Sequence, residues 1–163
     1  MKTTDMKHFT ISELIRSKTA TEKKIWNGAN REQEDNLIAL VAAVLDPVRE
    51  KYGKPIHVSS GFRCPQINGS LKNVSKASQH MSGEAADIYT DAGPQGNFEV
   101  GLLIAKLGNF DQLIFEDVGK DTLLPQWIHV SWKRKGDNRG EIKKHVVGSG
   151  NVYPIVNRKE LGL

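Results

Sequence analysis

Apolar residues recur most regularly between Arg31 and Tyr52, where Leu37, Leu40, Val41, Val44, Leu45 and Val48 fall three or four positions apart. That spacing puts them on one face and predicts the best helix in the chain. Pro47 lies inside the pattern without an amide hydrogen to give, so a kink or break is expected there, and Gly53 is expected to end the element. Two shorter helical pieces precede it. One starts near Phe9 with Thr10 or Ser12 as its cap, and the other spans Thr19 to Ile25, ahead of the turn signal Asn27-Gly28.

After Gly53 the spacing changes to alternation. Pro55 to Gly61 predicts a strand, with His57 pointing away from the face that carries Ile56 and Val58 and therefore structural or exposed. Cys64 to Lys76 is polar and turn-rich, with a turn expected at Asn68-Gly69. Ala85–Tyr89, Asp111–Glu116 and Trp127–Trp132 supply three further strands. Between the first two of these, Asn97 to Leu107 reads as a helix capped by Asn97, with Val100, Ile104 and Leu107 inward. Asn138 to Leu163 is polar and shows no clear period beyond room for a short helical turn. Helices first, then strands with a helix between them, imply a compact α+β domain with a small, largely antiparallel sheet. No repeat, linker or low-complexity tract divides residues 1–163, so one domain is expected.

Composition narrows the class. A chain of 163 residues is long enough to bury a core, and 38% hydrophobic with 26% charged residues is a globular balance. No apolar run approaches membrane-spanning length, and the N-terminus has no apolar stretch behind its first lysine. Synthesis in the cytoplasm without a signal peptide is therefore expected. Cys64 is the single cysteine, which excludes an internal disulfide; with no histidine nearby in sequence to serve as a base, it reads as a packed thiol. The net charge of +4 admits an anionic polymer as partner. The basic residues are dispersed, with Lys133-Arg134-Lys135 and Lys143-Lys144 the only local clusters, and a solvated face accounts for them. Nucleic acid is not the expected partner, and a monomer is expected.

The candidate chemistry lies in Ser78-Gln79-His80 through Asp87 and, much later, in Trp127-Ile128-His129-Val130-Ser131. Two histidines and one aspartate can hold a zinc ion and leave its fourth position open, the pattern of a catalytic site. Three such residues spread over fifty positions are often unrelated. Their settings favour convergence: Gly83 and Ala85-Ala86 let backbone approach closely, and His129 sits on a predicted strand, which is a rigid support.

Three segments in order, Ile56-His57-Val58-Ser59-Ser60-Gly61-Phe62-Arg63, then Ser78-Gln79-His80 through Asp87, then Trp127-Ile128-His129, resemble the zinc D-alanyl-D-alanine carboxypeptidase family. Its relatives include vancomycin-resistance dipeptidases and the L-alanyl-D-glutamate endopeptidases of phage endolysins. The likeness covers roughly residues 9 to 132, including the helix that ends Asp46-Pro47-Val48-Arg49, and leaves 138–163 as an extension. It implies a hedgehog/D-Ala-D-Ala carboxypeptidase-like α+β fold with the zinc on one face of the sheet. It also implies one zinc per chain on His80, Asp87 and His129, an active-site arginine at Arg63, and substrate contact at Ser78. The implied substrate is a peptidoglycan stem peptide, and the implied protein is a phage or prophage lysis enzyme acting on the wall after release, or a virion-associated one.

One departure bears on mechanism. Several relatives carry a catalytic carboxylate three residues before the last histidine, and here that position is Gln126, an amide that takes no proton from water at neutral pH. Glu116 is the candidate to replace it, since Gln112, Ile114 and Glu116 share one strand face near the histidine strand; an exposed strand-end carboxylate is the competing reading. Asp117 and Glu84 are weaker candidates. Arg63 could grip a terminal carboxylate or stabilise an oxyanion. If no carboxylate serves, the chain is instead a non-catalytic zinc-containing binding or structural module.

Overall fold

The computed structural model describes residues 5–72 and 74–163. The start of the N-terminal stretch read for a leader, residues 1–4, and Asn73 in the turn-rich segment lie outside the described residues.

The chain opens with two short helices, α1 (Ile11–Ile15) and α2 (Lys18–Lys23), capped by the hydroxyls of Thr10 and Ser17. The long helical stretch follows, with Asn30 and Gln33 forming a reciprocal capping box at its start. It divides into α3 (Arg31–Leu40), one wide π turn (Val41–Leu45) and α4 (Asp46–Tyr52). The expected irregularity is therefore a widened turn just ahead of Pro47. Proline offers no hydrogen to the carbonyl of Ala43, four residues back, and that carbonyl accepts from the Asn109 side chain at 3.3 Å instead. Gly53 closes α4 at φ 73, and the six apolar residues of the predicted face are all buried.

Four strands fall where alternation predicts them: β1 (His57–Ser60), β2 (Ala85–Tyr89), β3 (Gln112–Val118) and β4 (Trp127–Ser131). Two other elements differ from expectation. Asn68-Gly69 lies inside α5 (Pro65–Ser70), a helix started by Pro65, whose ring already fixes a helical φ. Residues 141–146, expected to be irregular, form β5, which pairs parallel to β3. Beyond β5, Val156 and Leu161 are buried, and Arg158–Leu161 supplies the short helical turn. The sheet order is β1-β2-β4-β3-β5, antiparallel at every pair except β3–β5.

α6 (Gly93–Leu107) begins before Asn97, which is thus not its cap. Asn97 is buried and accepts from the Thr90 amide while donating to the carbonyls of Pro125 and Gln126, so its side chain ties helix to sheet. Val100 and Ile104 face inward as expected; Leu107 is 42% exposed at the helix end. A side chain at Gly101 would lie 2.7 Å from the Phe115 ring, so this glycine lets α6 lie close to the sheet. Leu113, Phe115, Ile128 and Val130 are buried, and they alternate with the residues of the opposite face, which carries the site.

Candidate metal centre

Cross-strand register builds the site. Asp87 on β2 stands opposite His129 on β4, and His129 opposite Ile114 on β3, with Glu116 opposite Trp127. Directly opposed residues share a face, so Asp87, His129 and Glu116 project from the same side of the sheet.

His80 comes from the tight turn Gln79–Ser82, whose first amides are capped by Ser78: its hydroxyl accepts from the His80 N–H. Gly83 ends that turn at φ 75, where a Cβ would fall 2.4 Å from the Gln33 carbonyl, so glycine is required twice over. The Gly61–Arg63 segment fastens His80 from both sides. The Gly61 carbonyl accepts from His80 Nδ1 at 2.7 Å, and the Arg63 amide donates to the His80 carbonyl at 3.1 Å. A carbonyl accepts only, so Nδ1 carries the proton and Nε2 presents its lone pair inward.

That Nε2 lies 3.3 Å from His129 Nδ1 and 3.3 Å from Asp87 Oδ1, and the last two are 3.0 Å apart. Neutral His80 Nε2 and the carboxylate are both acceptors, so protein hydrogens cannot satisfy all three contacts. A cation can. Ligands about 2.0–2.1 Å from a tetrahedral zinc stand about 3.3 Å from each other, which is the spacing found. Burial keeps His80 below the ordinary histidine value despite Asp87, and so neutral. Burial alone would raise Asp87, but the hydrogen bond available from His129 Nδ1 at 3.0 Å outweighs it, and the carboxyl lies far below the usual range. The donor set fits zinc: two imidazole nitrogens and one ionised carboxylate.

Around this point, Arg63 is half-buried. Burial lowers its pKa while Asp87 raises it, and its Nε has no partner among the described residues. Glu116 is buried at 8% exposure, so it is not the exposed strand-end carboxylate of the competing reading. Burial lifts its pKa to about 7; His129 and His145 pull it down while Asp87 and Asp117 push it up. Glu84 accepts from the Ser82 hydroxyl, and Asp117 accepts from His145. Gln126 is exposed just before β4, with its backbone amide donating to the Glu116 carbonyl. Cys64 is half-buried against the core, its amide bonded to Asn27.

Sequence reading did not pick out His145 and Tyr153. His145 Nδ1 lies 3.8 Å from Glu116, and Tyr153 stacks on the His145 ring. The only signal was a lone histidine after a lysine pair.

An α+β sheet that brings two imidazoles and a carboxylate together at ligand spacing, with an arginine and a buried glutamate near by, is built like a metal-dependent hydrolase. The family model for Peptidase M15 matches residues 7–131, and the chain belongs to that family of zinc D-Ala-D-Ala carboxypeptidase-like peptidases. A search of curated proteins finds no match. Membership makes the chain a zinc-dependent metallopeptidase of the peptidoglycan-cleaving type. Among the described residues, no helix is long and apolar enough to cross a membrane.

Proposed function

We propose that this chain is a monomeric peptidase that hydrolyses an amide bond of the peptidoglycan stem peptide. In this reading His80, Asp87 and His129 hold one zinc, Glu116 is the general base, and Arg63 steadies the oxyanion. The observation that carries it is the convergence of three ligand atoms at 3.0–3.3 Å on the sheet face that also presents Glu116. Zinc, when bound, supplies Lewis acidity and makes the attacking water easier to deprotonate. Glu116 takes that proton and returns it to the leaving amine, work for which a pKa near neutrality is well matched. Arg63, half-buried and close enough to Asp87 to feel its charge, is the cationic group beside the ligands that would meet the substrate oxygen. The cut bond being of D,D or L,D type, and the use in phage or prophage lysis, rest on the resemblance to those relatives.

Digestion of purified peptidoglycan with and without a chelator, followed by mass analysis of the fragments, tests the reading. New free amines should appear, vanish with chelator and return with added zinc. Intact peptidoglycan of every cross-link type would sink it. The second reading, a non-catalytic zinc-containing binding or structural module of a phage particle, is favoured by one observation: the amide of Gln126 at the position where relatives carry a carboxylate.

A further inference from the structure

β5 follows the residues matched by the family model, yet it delivers a side chain to Glu116. The β3–β5 register slips between Phe115 and Val118, and Asp117 there adopts the left-handed φ of 52. This bulge sets both Glu116 and Asp117 against His145. His145 Nδ1 lies 2.7 Å from Asp117 Oδ1, and Nε2 lies 2.7 Å from the Gly150 carbonyl. Neither a carbonyl nor a carboxylate brings a hydrogen, so both ring nitrogens carry one and the ring is an imidazolium. Tyr153 lies over it, with ring centroids 5.0 Å apart and planes 29° from parallel, as suits a cation on an aromatic face. The groups facing His145 are thus Glu116, Asp117, Tyr153 and the Gly150 carbonyl. Burial would lower the His145 pKa, but Gly150, Asp117 and Glu116 raise it. A second metal ion fits poorly, because 2.7 Å is hydrogen-bond length and shorter than the spacing of zinc ligands.

We infer that His145 is a positioning residue: a resident imidazolium, clamped by Asp117 and the Gly150 carbonyl, whose charge 3.8 Å away holds the Glu116 carboxylate ionised for proton transfer. The inference rests on the reading of Glu116 as the base.

Nitrogen-15 NMR of the histidine rings in the zinc-loaded full chain gives the first test. Both His145 nitrogens should be protonated at neutral pH, and the ring's titration midpoint should fall by about one pH unit in Glu116→Gln. A bare nitrogen at neutral pH, or an unmoved midpoint, overturns the inference, as would two zinc ions per chain by metal analysis. Initial rates on purified peptidoglycan give the second. His145→Gln should lose about tenfold in the wild-type background and less than about twofold in Glu116→Gln, while His145→Lys recovers part of the loss. An equal loss in both backgrounds makes His145 merely structural. Full activity of Glu116→Gln would instead bring down the base assignment itself, and the positioning role with it. Should His145→Gln fail to fold, or the double variant fall below detection, the ring-nitrogen measurements on the folded proteins decide.

Discussion

Arg63 belongs to the same short segment that orients His80 and lies close enough to Asp87 to feel its charge, so one stretch of chain carries both a candidate ligand's support and a candidate oxyanion donor. Gly61 makes this route available: a Cβ there would fall 2.1 Å from the Leu14 carbonyl. Replacing the planar fork by a point charge isolates its role. Arg63→Lys should keep the fold and the zinc while turnover on peptidoglycan drops at least about tenfold; zinc analysis beside the rate checks it, and unchanged turnover would remove Arg63 from the chemistry. At this scale His80, Asp87, His129 and Arg63 were legible because each sits in a compact motif. Glu116 was legible from strand parity. His145 was not, because parity helps only when the strand itself is recognised, and Glu141-Ile142-Lys143-Lys144-His145-Val146 offers just two apolar residues.

Among elements, α6 shows how a polar side chain can matter more inside a helix than at its end. Asn97 looks like a cap in the sequence, since asparagine before an apolar period usually is one. In the fold Ala92 takes that place, and Asn97 bonds to Thr90 at the end of β2 and to the Pro125-Gln126 carbonyls leading into β4. Asn97→Ala strands those buried groups without partners, and should cost roughly 1–3 kcal/mol in urea unfolding. Zinc affinity should weaken with it, because β2 and β4 carry Asp87 and His129; a loss under about 0.5 kcal/mol would contradict this account. The bulge at Asp117 is a second such feature. A non-glycine residue in the left-handed region costs about 1–2 kcal/mol, and no alternation pattern announces where a strand will slip.

For the molecule as a whole, Asp111 is the principal buried charge away from the candidate metal centre. It is fully buried, accepts two bonds from the Arg139 guanidinium and one from the Gln79 amide, and lies 3.4 Å from Lys133. It thereby joins the turn of His80, the start of β3 and the loop before β5. Burial would raise its pKa, but Arg139 and Gln79 hold it well below the ordinary aspartate value. The folded form therefore binds the proton less readily than the unfolded chain, so the stability is present above about pH 4 and lost as pH falls below it. Asp111→Asn should cost roughly 3 kcal/mol at pH 7, with half-exposed Arg139 moderating the loss, and should flatten the acid limb of a stability–pH curve. Identical acid limbs for the two proteins would refute the assignment. Fold class and the antiparallel pairs were legible because local alternation sets them. The parallel β5 was not, since the chain crosses β3 to pair with its far edge, and no tight turn fixes that partner.

That parallel pairing also orders events in time. β3 and β4 are consecutive and can pair as soon as both exist, whereas the chain leaving β4 must cross β3 to place β5 on its far edge. A growing chain that has reached Ser131 contains His80, Asp87, His129 and Glu116, but not His145. Chain synthesis thus supplies the ion-binding residues first and the proposed partner of the base last. An unfinished polypeptide would hold the ion-binding residues and the base before the residue proposed to tune that base.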